Sequence, residues 1–458
     1  MRVVICGAGQ VGHNVAAYLA RDANDITVVD PDSRLISSVT NEIDVNGVVG
    51  HFSSPEVLSK AGLAEADIII AAGPDDETNM VACQVAHSLF DTPKKIARVR
   101  NQDYLDASWN NLFSKDHMPI DMVISPEVEV AKAIYERLAI TGATESIPIC
   151  NHELYFVGAI CEEECPIVHT PLRQLKSLFP HFFINIVSIL RGGISVPLDG
   201  DSQIMEGDEI FFIVETQNIP TVMSYLGIEC FDSQNIKILG GGRVGASLGQ
   251  LIEKSMPAAR VTIIETDEDR SVFLAQEMDK ALVIHGDCLL TSILKEAEVG
   301  QADTLVAVTN EDETNALCSL QAKYMGCKRV ITLIKRASYT PMLLSTNIDA
   351  IISPQDITVS RIMHHVRRGR VKAVHKLRGG ASELIEAITS ETCKIINQPI
   401  QDLHLPHGIR IASIKRDGEF IFPDVDTVVK SGDVVTIFAK SEQAHKVDAF
   451  FSTDVDLF

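Results

Sequence analysis

Residues 3–12 read VVICGAGQVG and residues 237–245 read KILGGGRVG. Each is a short apolar run ending in a glycine-rich turn, the pattern of a β-strand that delivers the chain into a helix N-terminus. Gly7-Ala8-Gly9-Gln10-Val11-Gly12 is a G-x-G-x-x-G sequence, and Gly240-Gly241-Gly242-Arg243-Val244-Gly245 repeats it. In such a loop the first glycine makes the tight turn, the second lets a pyrophosphate approach the backbone, and the third lets helix and strand pack closely. The helix N-terminus offers free amides and a partial positive charge to phosphates. Asp30 ends the next strand-like run, ITVVD, and Glu265 ends its counterpart, VTIIE. That is close to the spacing of about 20 residues expected of a carboxylate that holds ribose hydroxyls. A carboxylate there repels a 2′-phosphate, which favours NAD or an adenosine di- or triphosphate over NADP. Neither loop ends in Gly-Lys-Ser/Thr, so a P-loop ATPase is disfavoured.

The duplication extends well beyond the loops. Asp67 to Ala72 recurs as Asp303 to Val308, Asp75-Asp76-Glu77-Thr78-Asn79 as Glu311-Asp312-Glu313-Thr314-Asn315, and Ser125-Pro126 as Ser353-Pro354. These landmarks lie about 228–236 residues apart, half of the 458-residue chain, which marks a gene duplication. Short β-branched runs at 2–6, 26–29, 67–72, 95–99 and 121–125 alternate with helical stretches, and the second half repeats them. The alternation predicts an α/β fold with two doubly wound parallel sheets of the Rossmann-like, nucleotide-binding kind. Behind each lies a smaller repeated unit. Ser188 to Gly193, Pro197 and Gly207-Asp208 match Ser413 to Gly418, Pro423 and Gly432-Asp433, which reads as a small α+β lobe of hairpins. The expected domains are 1–125, 143–228, 234–355 and 373–458: large, small, large, small. After each large unit comes a helix with an apolar face, Val128, Ala131, Ile134, Tyr135 and Leu138 in one copy, and Val359, Ile362, Met363 and Val366 in the other. Each helix is expected to carry the chain from its large unit to its small lobe.

Composition narrows the function. Acidic residues outnumber basic ones 62 to 40, giving a net charge of −22. That balance argues against a nucleic-acid partner, which calls for clustered Lys and Arg. No apolar run reaches the roughly 18–20 residues that span a bilayer, and Met1-Arg2 leads straight into a strand, so a cytoplasmic protein is expected. The ten cysteines fit that compartment as small buried hydrophobes. Cys150, His152, Cys161, Cys165 and His169 form the one cluster with soft-metal chemistry, but neither cysteine pairing has zinc-site spacing, so no metal is expected.

Taken together, the paired glycine loops, the paired small lobes and the run DDETNMVACQ at Asp75 to Gln84 resemble the RCK (regulator of potassium conductance) family. The resemblance covers essentially the full length. It implies a non-enzymatic regulatory subunit that binds NAD(H), with ATP or ADP as further nucleotides. The family resemblance also implies a homo-oligomer, a tetrameric ring, peripheral on the cytoplasmic face of the inner membrane. The implied partner is a potassium channel subunit of the TrkH or TrkG type, gated by the nucleotide state. Carried over by position, the first site comprises Gly7, Ala8, Gly9, Gln10, Val11, Gly12, Asp30, His51, Gly73, Pro74 and Arg98. The second comprises Gly240, Gly241, Gly242, Arg243, Val244, Gly245, Glu265, Asp287, Thr309 and Asn310. The first copy has Gly50-His51 where the second has the more usual Gly286-Asp287. Arg98 aligns with Leu333, so the second site lacks that cation unless Lys335 or Arg336 supplies one.

Three other features of the sequence bear on function. Arg243 stands where the first copy has Gln10, and a guanidinium beside the loop would favour a more highly charged nucleotide. Of the 22 excess negative charges, 18 fall in residues 1–230, while seven basic residues lie between Arg361 and Arg378 with no carboxylate among them. That stretch reads as a solvated linker or as a contact with the channel or anionic lipid. Asp75-Asp76-Glu77 sits at a strand-to-helix junction, where acidic side chains offset the helix dipole. The rival function is an NAD-dependent oxidoreductase, since glycine loops serve many of them. It would need an acid/base constellation that the small duplicated lobes do not show.

Overall fold

The first half opens with β1 (Arg2–Cys6), β2 (Asp25–Asp30), β3 (Asn46–Val49), β4 (Ile68–Ala71), β5 (Lys94–Arg98) and β6 (Met122–Ile124). In the computed structural model these strands pair in parallel, in the order β3-β2-β1-β4-β5-β6. All four residues of β4 are buried, as expected of a parallel strand covered on both faces by helices. The chain runs outward from β1 to β3, then crosses back to β4 on the other side. The crevice at the carboxyl ends of β1 and β4 is therefore the point where strand order reverses, and Cys6 lies beside Ala71 there. The structure describes the chain apart from residues 21–23, 106, 110, 179–183, 229, 344–345, 367–370, 378–380 and 452–458.

The second large unit repeats this arrangement. Its strands are β12 (Asn235–Leu239), β13 (Arg260–Glu265), β14 (Leu282–His285), β15 (Thr304–Ala307), β16 (Arg329–Leu333) and β17 (Ala350–Ile352), in the order β14-β13-β12-β15-β16-β17. Sequence patterning found five strands per unit and missed β3 and β14. Both are four-residue edge strands with substantial exposure, so neither carries the continuous apolar signature of the inner strands.

Each small lobe is a five-stranded antiparallel sheet. The first holds β7 (Glu145–Ile149), β8 (Leu154–Ile160), β9 (Ile184–Arg191), β10 (Ile194–Ser195) and β11 (Glu209–Glu215), in the order β10-β9-β11-β8-β7. The second holds β18 (Val371–Leu377), β19 (Ser382–Ile388), β20 (Ile409–Arg416), β21 (Glu419–Ile421) and β22 (Val434–Lys440), in the order β18-β19-β22-β20-β21. The Gly-Asp steps have a specific use. Asp208, fully buried, takes both forks of the Arg191 guanidinium at 2.8 and 2.9 Å, and Asp433 does the same for Arg416 at 2.9 and 2.7 Å. A bidentate charge-assisted pair of this kind fixes the hairpin against the neighbouring strand. The two lobes pack on one another through Phe156, Phe211 and Phe438, whose rings stack. The Asn185 amide also donates to the Ala412 carbonyl at 2.7 Å, and the Cys150 backbone N–H to a Glu386 carboxylate oxygen at 3.0 Å.

The connecting helices, Pro126–Leu138 and Pro354–Val366, each lead from a large unit into the small lobe that follows it in sequence, but they do not pack as that order suggests. The chain forms two compact units, Met1–Glu129 with Gln355–Lys376, and Val130–Pro354 with Leu377–Phe458. The helix that follows the second large unit thus packs with the first. Its stripe of Val359, Ile362, Met363 and Val366 is buried. Arg361 pairs with Glu129 at 3.5 Å, Lys94 donates to the His365 carbonyl, and the Lys376 ammonium lies 4.2 Å from the centre of the Tyr18 ring. These described members of the basic stretch are engaged within their own unit; Arg367, Arg368, Arg370 and Arg378 lie outside the described residues.

Candidate functional site

Both glycine loops are built for close backbone approach. Gly7 has φ +101° and Gly240 φ +99°, left-handed values that favour glycine. A Cβ on Gly12 would run into the Gly7 carbonyl oxygen, and one on Gly245 into that of Gly240, so the third glycine is required by packing. The middle glycines are different. Gly9 and Gly242 have extended N-cap backbone with open space where a Cβ would stand. That space lies at the start of the helices Gln10–Leu19 and Arg243–Ser255, where first-turn amides have no partner within the helix.

The acidic residues do more than the sequence suggested. One Asp30 oxygen accepts the Ala8 N–H at 2.7 Å and the other accepts the Asp32 N–H at 2.8 Å. Glu265 does the same for Gly241 at 2.7 Å and Asp267 at 2.9 Å. Each carboxylate therefore braces its own glycine loop against the end of the second strand. Asp30 is buried, whereas the longer Glu265 remains half-exposed. In the second unit the Arg270 side chain also donates to the Gly241 carbonyl at 2.9 Å.

A second brace closes the crevice from the other side. The Asn79 side chain accepts the Gly73 N–H at 2.8 Å and donates to the Gly73 carbonyl at 3.1 Å and the Arg98 carbonyl at 3.0 Å. Asn315 makes the equivalent bonds to Thr309 N–H at 2.8 Å, the Thr309 carbonyl at 3.2 Å and the Leu333 carbonyl at 2.9 Å. Next to each, buried Asp76 accepts the Arg100 and Asn101 amides at 2.9 and 2.8 Å, and Asp312 those of Lys335 and Arg336. The sequence reading noted this acidic run but missed the asparagine. Its conspicuous signal was the repeated Thr-Asn ending. The loops after β4 and β15 are thus pinned to β5 and β16 by side chains that satisfy buried backbone groups.

Comparison with known proteins agrees with the duplication. The TrkA-N domain family matches residues 3–126 and again 236–354, and the TrkA-C domain family matches 159–227 and 384–452. The Trk system potassium uptake protein TrkA of Azorhizobium caulinodans is 41% identical, across the whole of both chains. That of Halomonas elongata is 37% identical, again over both full lengths. The chain belongs to the TrkA family of potassium uptake proteins. Among solved structures, the RCK domain of the GsuK channel aligns with a TM-score of 0.60 at 16% identity, covering 98% of this chain and 94% of that one. The GsuK channel bound to NAD aligns equally well, at 0.60 and 16%, over 98% of this chain and 78% of that one. At that identity the likeness concerns the fold.

Within these TrkA-N repeats the remaining candidate residues fall in two groups. Val11, Ala72 and Arg98 line one narrow cavity in the first unit, with Thr358 and Ile362 from the helix Pro354–Val366. Arg98 pairs with Glu127 at 3.3 Å, and burial lowers its pKa below the ordinary arginine value. Gly73 is buried next to Phe52, while Pro74 is exposed at the crevice rim. His51 turns toward Ser53, 2.8 Å away, and stacks on Phe52. In the second unit Asp287 accepts the Leu289 N–H at 2.9 Å. Gln10, Asn310 and Arg243 are exposed. A cation does reach the second crevice: the Lys335 ammonium donates to the Asn310 carbonyl at 2.7 Å, whereas Arg336 is held by Glu313 at 3.0 Å. Of the cysteine cluster, Cys161 and Cys165 share a thiol hydrogen bond, while Cys150 lies at the lobe interface with Glu386.

Proposed function

We propose that this chain is a regulatory subunit that binds NAD(H) and adenine nucleotides at two glycine-loop sites and gates a Trk-type potassium channel. The observation that carries the reading is the paired carboxylate brace. Asp30 and Glu265 hold two loops in the same geometry, with an open face at Gly9 and Gly242 where a pyrophosphate fits. Gly7 to Gly12, Asp30, Gly73, Pro74 and Arg98 would hold nucleotide in the first site. Gly240 to Gly245, Glu265, Asp287, Thr309 and Asn310 would do so in the second, with Lys335 in place of the missing arginine. Each carboxylate keeps lone pairs beyond those used by the loop amides, and these suit ribose hydroxyls. The role is regulatory rather than catalytic, in keeping with the TrkA family names of the relatives.

Gating requires that nucleotide bind two conformations with unequal affinity, and channel opening then changes nucleotide affinity by the same factor. We place the subunit on the cytoplasmic face of the membrane, docked to a pore subunit of the TrkH or TrkG type. Among the described residues no helix is long and apolar enough to cross a membrane itself. Ring assembly is supported by apolar residues exposed on equivalent helices, of which Val81 and Leu317 stand at matching positions. Val81 and Leu89 lie on Asp76–Phe90, and Leu317 and Tyr324 on Asp312–Met325, with Tyr324 92% exposed. The test is potassium flux through liposomes that contain the pore subunit, with this chain added. Flux that depends on ATP, ADP or NADH is expected; flux indifferent to all three overturns the reading.

A further inference from the structure

Cys288 and Cys318 face each other inside the second large unit, with their sulfurs 3.7 Å apart. The Cys318 thiol also donates to the Cys288 carbonyl at 3.2 Å, and both residues are buried. Each lies on a segment that carries candidate site residues. Cys288 directly follows Asp287 in the turn after β14, and Cys318 is on the helix Asp312–Met325 that begins just after Thr309 and Asn310.

The duplicated unit serves as an internal control. Gly50 abuts Val57 as Gly286 abuts Ile293, and Asn79 braces its loop as Asn315 does, so Cys288 corresponds to Phe52 and Cys318 to Ala82. In the first unit the Phe52 ring fills the space where Gly73 would carry a Cβ. In the second, Thr309 replaces Gly73 and Cys288 replaces Phe52. One core position therefore changes from Phe, Gly and Ala to Cys, Thr and Cys. The first set shows that this fold packs here without sulfur.

We propose that Cys288 and Cys318 are a peroxide-sensitive dithiol whose closure to a disulfide weakens nucleotide binding at the second glycine loop. The ligand half of this proposal rests on the nucleotide reading above. The hydrogen bond from Cys318 favours the Cys288 thiolate and lowers its pKa against the opposing effect of burial, while the same bond and burial raise that of Cys318. The Cys288 thiolate attacks one oxygen of hydrogen peroxide: the S–O bond forms, the O–O bond breaks, and the leaving hydroxide takes up a proton to become water. Cys318, giving up its proton, then attacks the Cys288 sulfur. The S–S bond forms, the S–O bond breaks, and a second water leaves. Two thiols lose two electrons and one peroxide becomes two waters. Thiol–disulfide exchange with a reduced dithiol reverses the change.

Closure moves the turn rather than the helix. The sulfurs must approach by about 1.7 Å to reach a bonded separation near 2.05 Å. Asn315 pins the helix to Thr309 and Leu333, and Ser319 binds Thr332 at 2.7 Å. The turn is held by fewer bonds, one of which runs from the Gly286 N–H to the Glu265 carbonyl at 2.8 Å. Glu265 is the brace of the second glycine loop, so displacement of the turn reaches the ligand face directly.

The experiment treats the full-length chain with hydrogen peroxide and follows three readouts. Peptide mass spectrometry should show a Cys288–Cys318 link with loss of two hydrogens, reversed by dithiothreitol. Amide hydrogen exchange should change across residues 286–290. Fluorescent ATP and NADH should bind the oxidised protein at least about fivefold more weakly at the second site, a fold-change in the usual range of coupling between sites. Cys318→Ala, the first unit's residue, should abolish all three effects; Cys288→Ser should do likewise and covers the case in which that variant fails to fold. No 288–318 link, or a link that leaves exchange or affinity unchanged, overturns the proposal. If the reduced protein binds neither nucleotide, the reading of the site fails and the ligand half of the proposal with it, while mass and exchange still decide the disulfide.

Discussion

Arg329 at the start of β16 donates through Nη1 to the carbonyl of Arg137 at 2.7 Å and through Nη2 to that of Ala143 at 2.9 Å. Arg137 is the penultimate residue of the helix Pro126–Leu138, so the guanidinium sits where orphan carbonyls and the negative end of the helix dipole collect. It ties a strand of the second nucleotide-type sheet to the segment that leads into the first small lobe. Burial pushes the Arg329 pKa down to about 10, which still leaves it charged at neutral pH. Arg137 in turn pairs with buried Glu145. Arg329→Met should cost about 2–4 kcal/mol, because two buried carbonyls lose a charged donor. Arg329→Lys should recover less than half of that, since an ammonium lacks the planar fork. The midpoint of urea unfolding measures both. A methionine variant as stable as the parent would show that the carbonyls rehydrate freely.

The glycines of one loop should separate folding from binding. Gly12→Ala or Gly245→Ala drives a Cβ into a carbonyl oxygen that belongs to the same loop, and should destabilise its unit by about 2 kcal/mol or more. Gly9→Ala or Gly242→Ala meets nothing within 4 Å and keeps an extended backbone that alanine adopts. These variants should melt like the parent yet bind nucleotide at least about tenfold more weakly, since the methyl group occupies the phosphate face. Titration with fluorescent ADP alongside thermal melts checks the pair. Normal affinity in Gly9→Ala and Gly242→Ala would mean that phosphates do not approach there.

The sequence made the loops and sheets legible because their signals are local. A strand, a glycine turn and a carboxylate about 20 residues on lie within one βαβ unit, and duplication printed the set twice. The exchange of the helix Pro354–Val366 onto the first unit was not legible. Its apolar stripe specifies only that something is buried, and large units of the same fold offer similar surfaces to receive it. The braces at Asn79 and Asn315 were hidden for a related reason. A polar residue in a helix's first turn reads as a capping group, and only the folded chain shows that it reaches three backbone groups, two on a loop and one at a strand end. Lys335 was open in the sequence because its ammonium reaches the crevice through a side chain that pairs with a backbone carbonyl rather than by alignment with Arg98.

Asn79→Ala and Asn315→Ala test those braces. Each substitution leaves a buried amide and two carbonyls without their partner, at a cost of about 1–3 kcal/mol. The braces lie in different compact units and share no partner, so the double variant should equal the sum of the singles within about 0.5 kcal/mol. Nucleotide affinity should fall only at the site whose loop is released. Denaturant titrations of the three variants check additivity. A double variant much less stable than the sum would reveal coupling between the two braces.

The thiol pair in the first small lobe should leave a mark on stability as pH changes. The hydrogen bond from Cys161 pulls the Cys165 pKa down to about 7 from an ordinary 9.0, against burial, and amides of Ile167 and Val168 add to the effect. The same bond, with burial, holds Cys161 above its ordinary value. Between about pH 7 and 9 the unfolded chain keeps a proton on Cys165 that the folded chain has released, so stability rises with pH across that window. The gain is complete above the unfolded value and absent below the folded one. Above about pH 9 the sign reverses, because folded Cys161 retains a proton that the unfolded chain gives up. Urea midpoints measured from pH 6 to 10 should therefore peak near pH 9 relative to a Cys165→Ala variant, in which the rise disappears. Ultraviolet thiolate absorbance should increase over the same interval in the folded parent and not in the variant. A parent and variant with parallel pH profiles would place the shared proton elsewhere.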